Sequence, residues 1–293
     1  MPWSEIGEHA LALVLYPGAV TMLAIGVIAE AAAGWALVPA RGPFAAWNGV
    51  AAALRTAFTR GRPPALASIA LLMTMLAATQ LAIPFNPVPS TDRNLLIAAV
   101  AIAGAGWVTW AWGWNRDELE PRLMLLGQAG WLAALLAPSV SVQTLRPEAV
   151  GSVILPGLTA VKVVAAILYV ISLPALLQLI PESAPQGVPG ARTRRRDPEE
   201  AGFALVRVLL WLPVCGLFTS VIFPPSADDA LGIVRFLVLS GAAGAVGLAL
   251  AANLIHRGAL FTHRRYGFAL AALGMLTIAV ALVSVAVQQT TVI

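Results

Sequence analysis

Apolar residues in this chain are gathered into blocks long enough to cross a lipid bilayer, and polar residues lie almost entirely between those blocks. A helix needs about 20 mostly apolar residues to span the hydrocarbon core. The segments that meet this requirement are 10–38, 65–85, 94–114, 123–144, 151–180, 203–223, 231–255 and 268–290. The pattern predicts an all-α polytopic membrane protein of about eight transmembrane helices. Residues 1–293 are expected to form a single transmembrane domain.

The first long connection, residues 41–64, has an amphipathic pattern of its own. Within residues 43–60 the large apolar side chains recur three or four positions apart, which places them on one face of a helix; they are Phe44, Trp47, Val50, Leu54 and Phe58. A helix of this kind lies in the plane of the membrane surface. We therefore expect an amphipathic surface helix in this connection.

The arginines alternate along the chain in a way that predicts its orientation. Thirteen of them lie in odd-numbered connections, whereas only Arg93 and Arg146 lie in even-numbered ones. Cytoplasmic loops of membrane proteins are enriched in Lys and Arg. The connection 41–64 and the arginine-rich connection 181–202 are therefore predicted to face the cytoplasm. Both termini are predicted to lie outside the inner (plasma) membrane.

Composition agrees with a membrane protein and excludes several other classes. Only 11% of residues are charged, against roughly 25% in soluble domains. The net charge of +4 does not indicate nucleic-acid binding, because 15 of the 17 arginines lie between apolar blocks rather than along one face. Cys215 is the only cysteine, and the three histidines lie at the ends of segments or in connections. No catalytic residue and no metal site is predicted in this chain.

Four charged residues fall within the predicted spans: Glu30, Lys162, Arg207 and Arg235. Ionisable groups at membrane depth are costly and often functional. Arg207 and Arg235 lie near the ends of their predicted spans, so we expect their side chains to extend to the interface. Glu30 and Lys162 are the deeper charges. A contact between them would hide both, although the sequence does not show that they meet.

Several short motifs follow one another in an order similar to that of a known family. Glu30 is followed by Gly42-Pro43 and by an amphipathic helix that ends in Leu54-Arg55. Further along the chain come Leu81–Phe85, Leu132–Pro138, Pro181-Glu182-Ser183, and Glu199 and Glu200 before Gly202–Leu205. In this series the chain resembles the membrane-anchor family shared by respiratory complex I, where it is known as subunit 1, and the membrane-bound hydrogenases, including the formate hydrogenlyase subunit 4 type.

The resemblance implies a subunit that links a soluble electron-transfer arm to antiporter-like membrane subunits. It implies iron–sulfur or nickel–iron centres in the soluble hydrogenase-like or complex I-like partners, and no cofactor bound by this chain, with quinone left open. The proton-coupling candidates are Glu30, Glu182, Glu199 and Glu200. The candidates for docking the soluble arm are Arg41, Arg55, Arg194, Arg195 and Arg196.

The chain also departs from the family pattern. Ala31–Ala33 stand where the family has two basic residues, and Gln128 stands near the place of an acidic residue. In the family these groups shape the quinone chamber and the entrance of the proton path. The resemblance therefore implies an anchor protein that has lost most quinone and proton-path residues.

A different class of protein remains as the alternative: a stand-alone transporter of small solutes or ions. In that hypothesis Lys162 faces the substrate, and Pro156 and Pro174 break the fifth span. The absence of a recognisable inverted repeat in the sequence argues against it.

Overall fold

The computed structural model describes residues 3–59, 65–112, 121–155, 157–180, 198–257 and 262–291. Within these ranges every regular element is a helix and no strand occurs, which confirms the all-α prediction. The α-helices are α1 (Trp3–Val14), α2 (Ala19–Leu37), α3 (Gly42–Thr59), α4 (Ala65–Thr79), α5 (Leu95–Trp112), α6 (Pro121–Val142), α7 (Pro147–Ser152), α8 (Leu158–Leu176), α9 (Pro198–Ile222), α10 (Ala230–Arg257) and α11 (Gly267–Thr291).

The helices stand where the eight predicted spans lie. Among the described residues, six segments are long and apolar enough to cross a membrane: His9–Leu37, Pro121–Val142, Leu158–Leu176, Gly202–Ile222, Ala230–Arg257 and Arg264–Thr290. Two shorter apolar helices, Ala65–Thr79 and Leu95–Ala111, occupy the second and third predicted positions. The chain is a multi-pass membrane protein.

Two predicted spans are interrupted in the structure. The first, 10–38, consists of α1 and α2 with a break at 15–18, where Pro17 cannot donate a backbone hydrogen bond. The fifth, 151–180, consists of α7, an extended stretch and then α8. A proline at position 156 favours an extended residue before it, and Gly157 has a positive φ of 78°. A hydropathy pattern averages over such short breaks and therefore misses them.

Helix α9 lies at the centre of the bundle. It packs against α2, α3, α4, α5, α7 and α10, whereas α10 and α11 expose much of their length. Aromatic rings link α6, α8 and α9, since Tyr169 lies 6.2 Å from Trp131 and 5.4 Å from Phe218 between ring centroids. The Tyr169 hydroxyl also donates to the Val214 carbonyl at 2.6 Å. Contacts along α9 thus position most of the other helices.

The connections predicted to lie outside meet at one end of the bundle. The Leu95 amide donates to the Leu145 carbonyl at 2.8 Å, and the Phe85 amide donates to Asp228 Oδ1 at 2.9 Å. These bonds join the second connection to the fourth and the sixth. Tyr16, in the break between α1 and α2, donates to the Pro84 carbonyl at the same end. The contacts agree with a chain that alternates between two ends, and which end faces the cytoplasm remains a prediction.

Helix α3 occupies the predicted position of the amphipathic surface helix, but most of the large apolar side chains expected to form one face do not pack against the bundle. Its inward contacts with α2 and α9 use small side chains, and Ala46 and Val50 are the buried ones. Phe44 and Phe58 are 84% and 67% exposed. In a membrane protein such exposed aromatic side chains are suited to lipid, so α3 joins the bundle with one face and the bilayer with the other.

A candidate functional site at the crossing of α2 and α9

Glu30 and Arg207 form an ion pair between α2 and α9. We expected the Arg207 side chain to extend to the interface, but its guanidinium instead faces Glu30 on the neighbouring helix, and α9 begins at Pro198. Arg207 therefore lies about 13 Å along the helix axis from that start, at a rise of 1.5 Å per residue. Glu30 lies two turns before the end of α2 at Leu37 and is buried.

Both carboxylate oxygens of Glu30 have a partner. Oε1 faces the Arg207 guanidinium, and Oε2 accepts a hydrogen bond from Trp211 Nε1 at 3.0 Å. Arg207 and Trp211 are four residues apart, so they lie on the same face of α9. The carboxylate is thus held by one cation and one neutral donor from a single helix.

The two helices approach closely beside this pair because α2 carries a glycine there. Gly26 lies one turn before Glu30, and a Cβ built on it would overlap the backbone carbonyl of Val208. Small residues at helix crossings in membranes let backbones approach closely. Gly26 therefore brings Glu30 within reach of Arg207, and the crossing is part of the site.

The charge of Glu30 affects how α2 and α9 pack on each other. Removing one partner of a buried ion pair costs about 3–5 kcal/mol, because the other charge stays buried without compensation. Protonation of Glu30 would remove the negative charge that faces Arg207, leaving the guanidinium uncompensated next to Trp211. Proton uptake at Glu30 would therefore favour a rearrangement of the crossing between α2 and α9.

Lys162 does not meet Glu30, and its predicted mid-span position is wrong. Because the fifth span is interrupted, Lys162 lies in the second turn of α8, close to the end where the even-numbered connections meet. Its ammonium donates to the carbonyl of Gly151 at 2.8 Å, near the end of α7. Lys162 thus fastens α7 to α8, where the helix dipole of α7 also favours a positive charge.

The other predicted site residues do not converge on this crossing. Arg55 is exposed on α3, and Arg41 lies in a 3₁₀ turn between α2 and α3. Glu199 and Glu200 lie in the first turn of α9. Outside the described residues lie Glu182, Arg194, Arg195 and Arg196.

A second ion pair, between the buried Arg93 and the partly exposed Glu148, lies at the opposite end of the bundle. Arg93 is 8% exposed and also donates to the Val88 carbonyl through Nε at 2.9 Å and Nη2 at 2.6 Å. Sequence reasoning used Arg93 only to infer orientation. Arg93 lies next to Asn94 at the start of an apolar block. This position in the sequence indicated that the Arg93 side chain could contact neighbouring connections.

Neither the buried thiol nor the acidic residues form a metal centre in the part of the chain that the structure describes. No group of three or more His, Cys, Asp or Glu side chains there could hold a metal ion. Cys215 is buried between α9 and α10, where its sulfur packs near Gly244.

The length, apolar composition and number of the described helices define a polytopic α-helical membrane protein. No protein-family model matches the sequence, and no curated protein is similar to it. The chain is similar in fold to a chain in the structure of the membrane-bound sulfane sulfur reductase, described as an archaeal respiratory membrane complex. The TM-score is 0.59 at 15% sequence identity, and the match covers 92% of this chain and 99% of that chain. At this identity the likeness shows a shared fold.

Proposed function

We propose that this chain is the membrane-anchor subunit of a complex I-like or hydrogenase-like respiratory assembly. In this role it links a soluble electron-transfer arm to antiporter-like, ion-translocating membrane subunits. The observation that carries the proposal is the fold shared with a chain of a respiratory membrane complex over almost the full length of both. The motifs from Glu30 to Leu205 that resemble the complex I and hydrogenase anchor proteins support the same role.

The crossing of α2 and α9 is the proposed coupling element. Glu30 on α2 pairs with Arg207 on α9, and α3 packs on both of these helices. A soluble arm that contacts α3 would therefore act on two helices whose relative position depends on the charge of Glu30. Such an element transmits a change from one side of the assembly to the other without chemistry of its own.

The cytoplasmic connections form the proposed docking surface for the soluble arm. Arg55 is exposed on α3, and the sequence places Arg194, Arg195 and Arg196 in the connection before α9. Positive charge of this kind would steer and orient an acidic partner more than it would add affinity. Iron–sulfur or nickel–iron centres belong to the partner subunits in this proposal, and no redox step is assigned to this chain.

Isolation of the protein from its native membrane tests the proposal. A tagged chain extracted in mild detergent should bring down hydrogenase-like or complex I-like subunits with iron–sulfur or nickel–iron centres, together with antiporter-like membrane subunits. Mass spectrometry of the purified material identifies them. A lone, monodisperse protein that moves a solute in liposomes would contradict the proposal and support the transporter hypothesis.

A further inference from the structure

A groove of about 660 Å³ opens between the start of α5 and the end of α6. It lies at the end of the bundle where the even-numbered connections meet. Helix α5 packs mainly on α4 and α9, and α6 packs mainly on α8 and α11, so the two touch each other only lightly and leave the groove between them. Its volume falls in the range of roughly 300–1,000 Å³ that is typical of sites for small molecules.

The lining of the groove changes from apolar to polar at the helix ends. Leu96 and Ile97 in the first turn of α5 face Leu136 and Val140 in the last two turns of α6. Beyond the helix ends the lining is made of polar residues of the two connections. An apolar wall followed by a polar rim matches the boundary between the hydrocarbon core and the headgroup layer of a bilayer.

The rim carries one charge of each sign that is available to a ligand. Asp92 and Arg146 are both exposed. The third charged residue of the lining, Arg93, is buried and paired with Glu148. The rim therefore presents one carboxylate and one guanidinium.

Backbone and side-chain hydrogen bonds fix this rim. Thr91 Oγ1 donates to Asp92 Oδ1 at 3.0 Å, and the Arg146 amide donates to Thr144 Oγ1 at 3.2 Å. The bond from the Leu95 amide to the Leu145 carbonyl holds the two connections together. Asp92 and Arg146 therefore lie on two connections whose backbones are hydrogen-bonded to each other.

We propose that this groove binds a phospholipid with a phosphoethanolamine headgroup. The Arg146 guanidinium binds the phosphate, for which its planar geometry is suited. The Asp92 carboxylate accepts hydrogen bonds from the primary ammonium, and an acyl chain lies against Leu96, Ile97 and Val140. A choline headgroup has no N–H to donate to Asp92, and a glycerol headgroup brings no cation. The site requires only that the bundle lies in a membrane, and it does not depend on the proposed function.

Native mass spectrometry of the delipidated protein in micelles tests the proposal. Phosphatidylethanolamine, phosphatidylcholine and phosphatidylglycerol with identical acyl chains are added separately, and the bound fraction is measured. The wild type should retain phosphatidylethanolamine above the other two. Arg146→Gln and Asp92→Asn should each reduce that retention about tenfold, as expected for one charge-assisted hydrogen bond. Val140→Trp should reduce retention of all three lipids by filling the apolar wall.

Two controls keep the outcome decisive. Arg146→Lys keeps the charge but loses the planar guanidinium, so its retention should lie between those of the wild type and Arg146→Gln. Arg235→Gln removes an exposed arginine of α10 outside the groove and should bind as the wild type does. Equal retention of the three lipids by the wild type overturns the proposal, as does unchanged retention in Arg146→Gln. If Val140→Trp releases a partner subunit and leaves lipid retention unchanged, the groove is a protein interface and the lipid site is refuted.

Discussion

Glu30 on α2 and Arg207 on α9 neutralise each other inside the membrane-spanning bundle. Each residue alone would place an uncompensated charge among apolar helices, at a cost of several kcal/mol. Their pairing explains how a chain with so few charged residues keeps two of them between its central helices.

Gly26→Ala should destabilise the protein because a Cβ at this position overlaps the Val208 carbonyl. Overpacking of this kind costs about 1–3 kcal/mol, which should appear as a lower melting temperature of the purified protein in detergent. Gly241→Ala in α10 is the matched control, since a Cβ there meets no atom within 4 Å. A Gly26→Ala protein as stable as the control would show that α2 and α9 can separate without cost.

Arg207→Met should destabilise the protein by about 3–5 kcal/mol, because Glu30 keeps its charge and loses its cation. The double variant Glu30→Leu, Arg207→Met should recover most of this loss, since an apolar pair of similar volume replaces two buried charges. Thermal unfolding of the single and double variants measures both effects. Equal melting temperatures for Arg207→Met and the double variant would show that an unpaired Glu30 carries no cost, which contradicts this prediction.

Glu30→Gln should lower proton-coupled activity of the native assembly while its subunits still co-purify. The amide can still accept the hydrogen bond from Trp211, but it cannot carry the charge that Arg207 faces. Proton translocation and electron transfer are measured in parallel on membranes that contain the variant. Glu148→Gln, which alters the ion pair at the opposite end, is the control and should leave coupling unchanged. If the Glu30→Gln assembly translocates protons as efficiently as the wild type, Glu30 has only a structural role.

Cysteine labelling should reveal the alternation of the two ends. Cys215 is buried and gives a low background, so single cysteines can be introduced at Ser90, Ala227 and Thr59. An impermeant maleimide should label Ser90→Cys and Ala227→Cys in intact cells. Thr59→Cys on α3 should react only after permeabilisation. Labelling of all three in intact cells would contradict the predicted path of the chain, and labelling of Thr59→Cys alone would reverse its orientation.

Replacing Arg194, Arg195 and Arg196 together by Ala should weaken retention of the soluble arm, most strongly at low salt. Exposed charges are screened over roughly 10 Å at 0.1 M salt, so the wild type should lose its advantage over the triple variant as salt rises. Co-purification across a salt series measures the effect, with Arg235→Gln as a control on α10. Identical salt profiles for wild type and triple variant would remove this docking role.

The positions of the helices could be predicted from the sequence, because bilayer length and hydropathy determine them. The interruption at 15–18 could not, since a few residues barely change a long hydropathy average, and a break of the fifth span was expected only under the transporter hypothesis. Their signals were nevertheless local and readable: Pro17-Gly18 in the first and Pro156-Gly157 in the second. A search for such pairs would have moved Lys162 from mid-span to the end of a helix.

The partner of Glu30 could not be predicted in the same way. Periodicity shows which face of a helix is buried, but it does not show which of the other helices covers that face. Glu30 was a candidate because a carboxylate at membrane depth is costly. Arg207 was set aside because it lies near the start of its predicted span, from which a long side chain can reach the interface. Gly26, one turn from Glu30, was the signal for a close crossing.

Glu30 and its partners on α9 lie far apart in the sequence, and this separation affects how the protein inserts into the membrane during synthesis. Trp211 follows Glu30 by 181 residues, so α2 leaves the ribosome and enters the bilayer well before α9 exists. A lone carboxylate at a helix centre disfavours insertion by roughly 2.5–3.5 kcal/mol. Until α9 arrives, Glu30 must be protonated, hydrated or covered by another chain. Arrival of α9 therefore completes the membrane insertion of α2 as well as its own, and nascent chains that end before α9 should hold their first span only loosely.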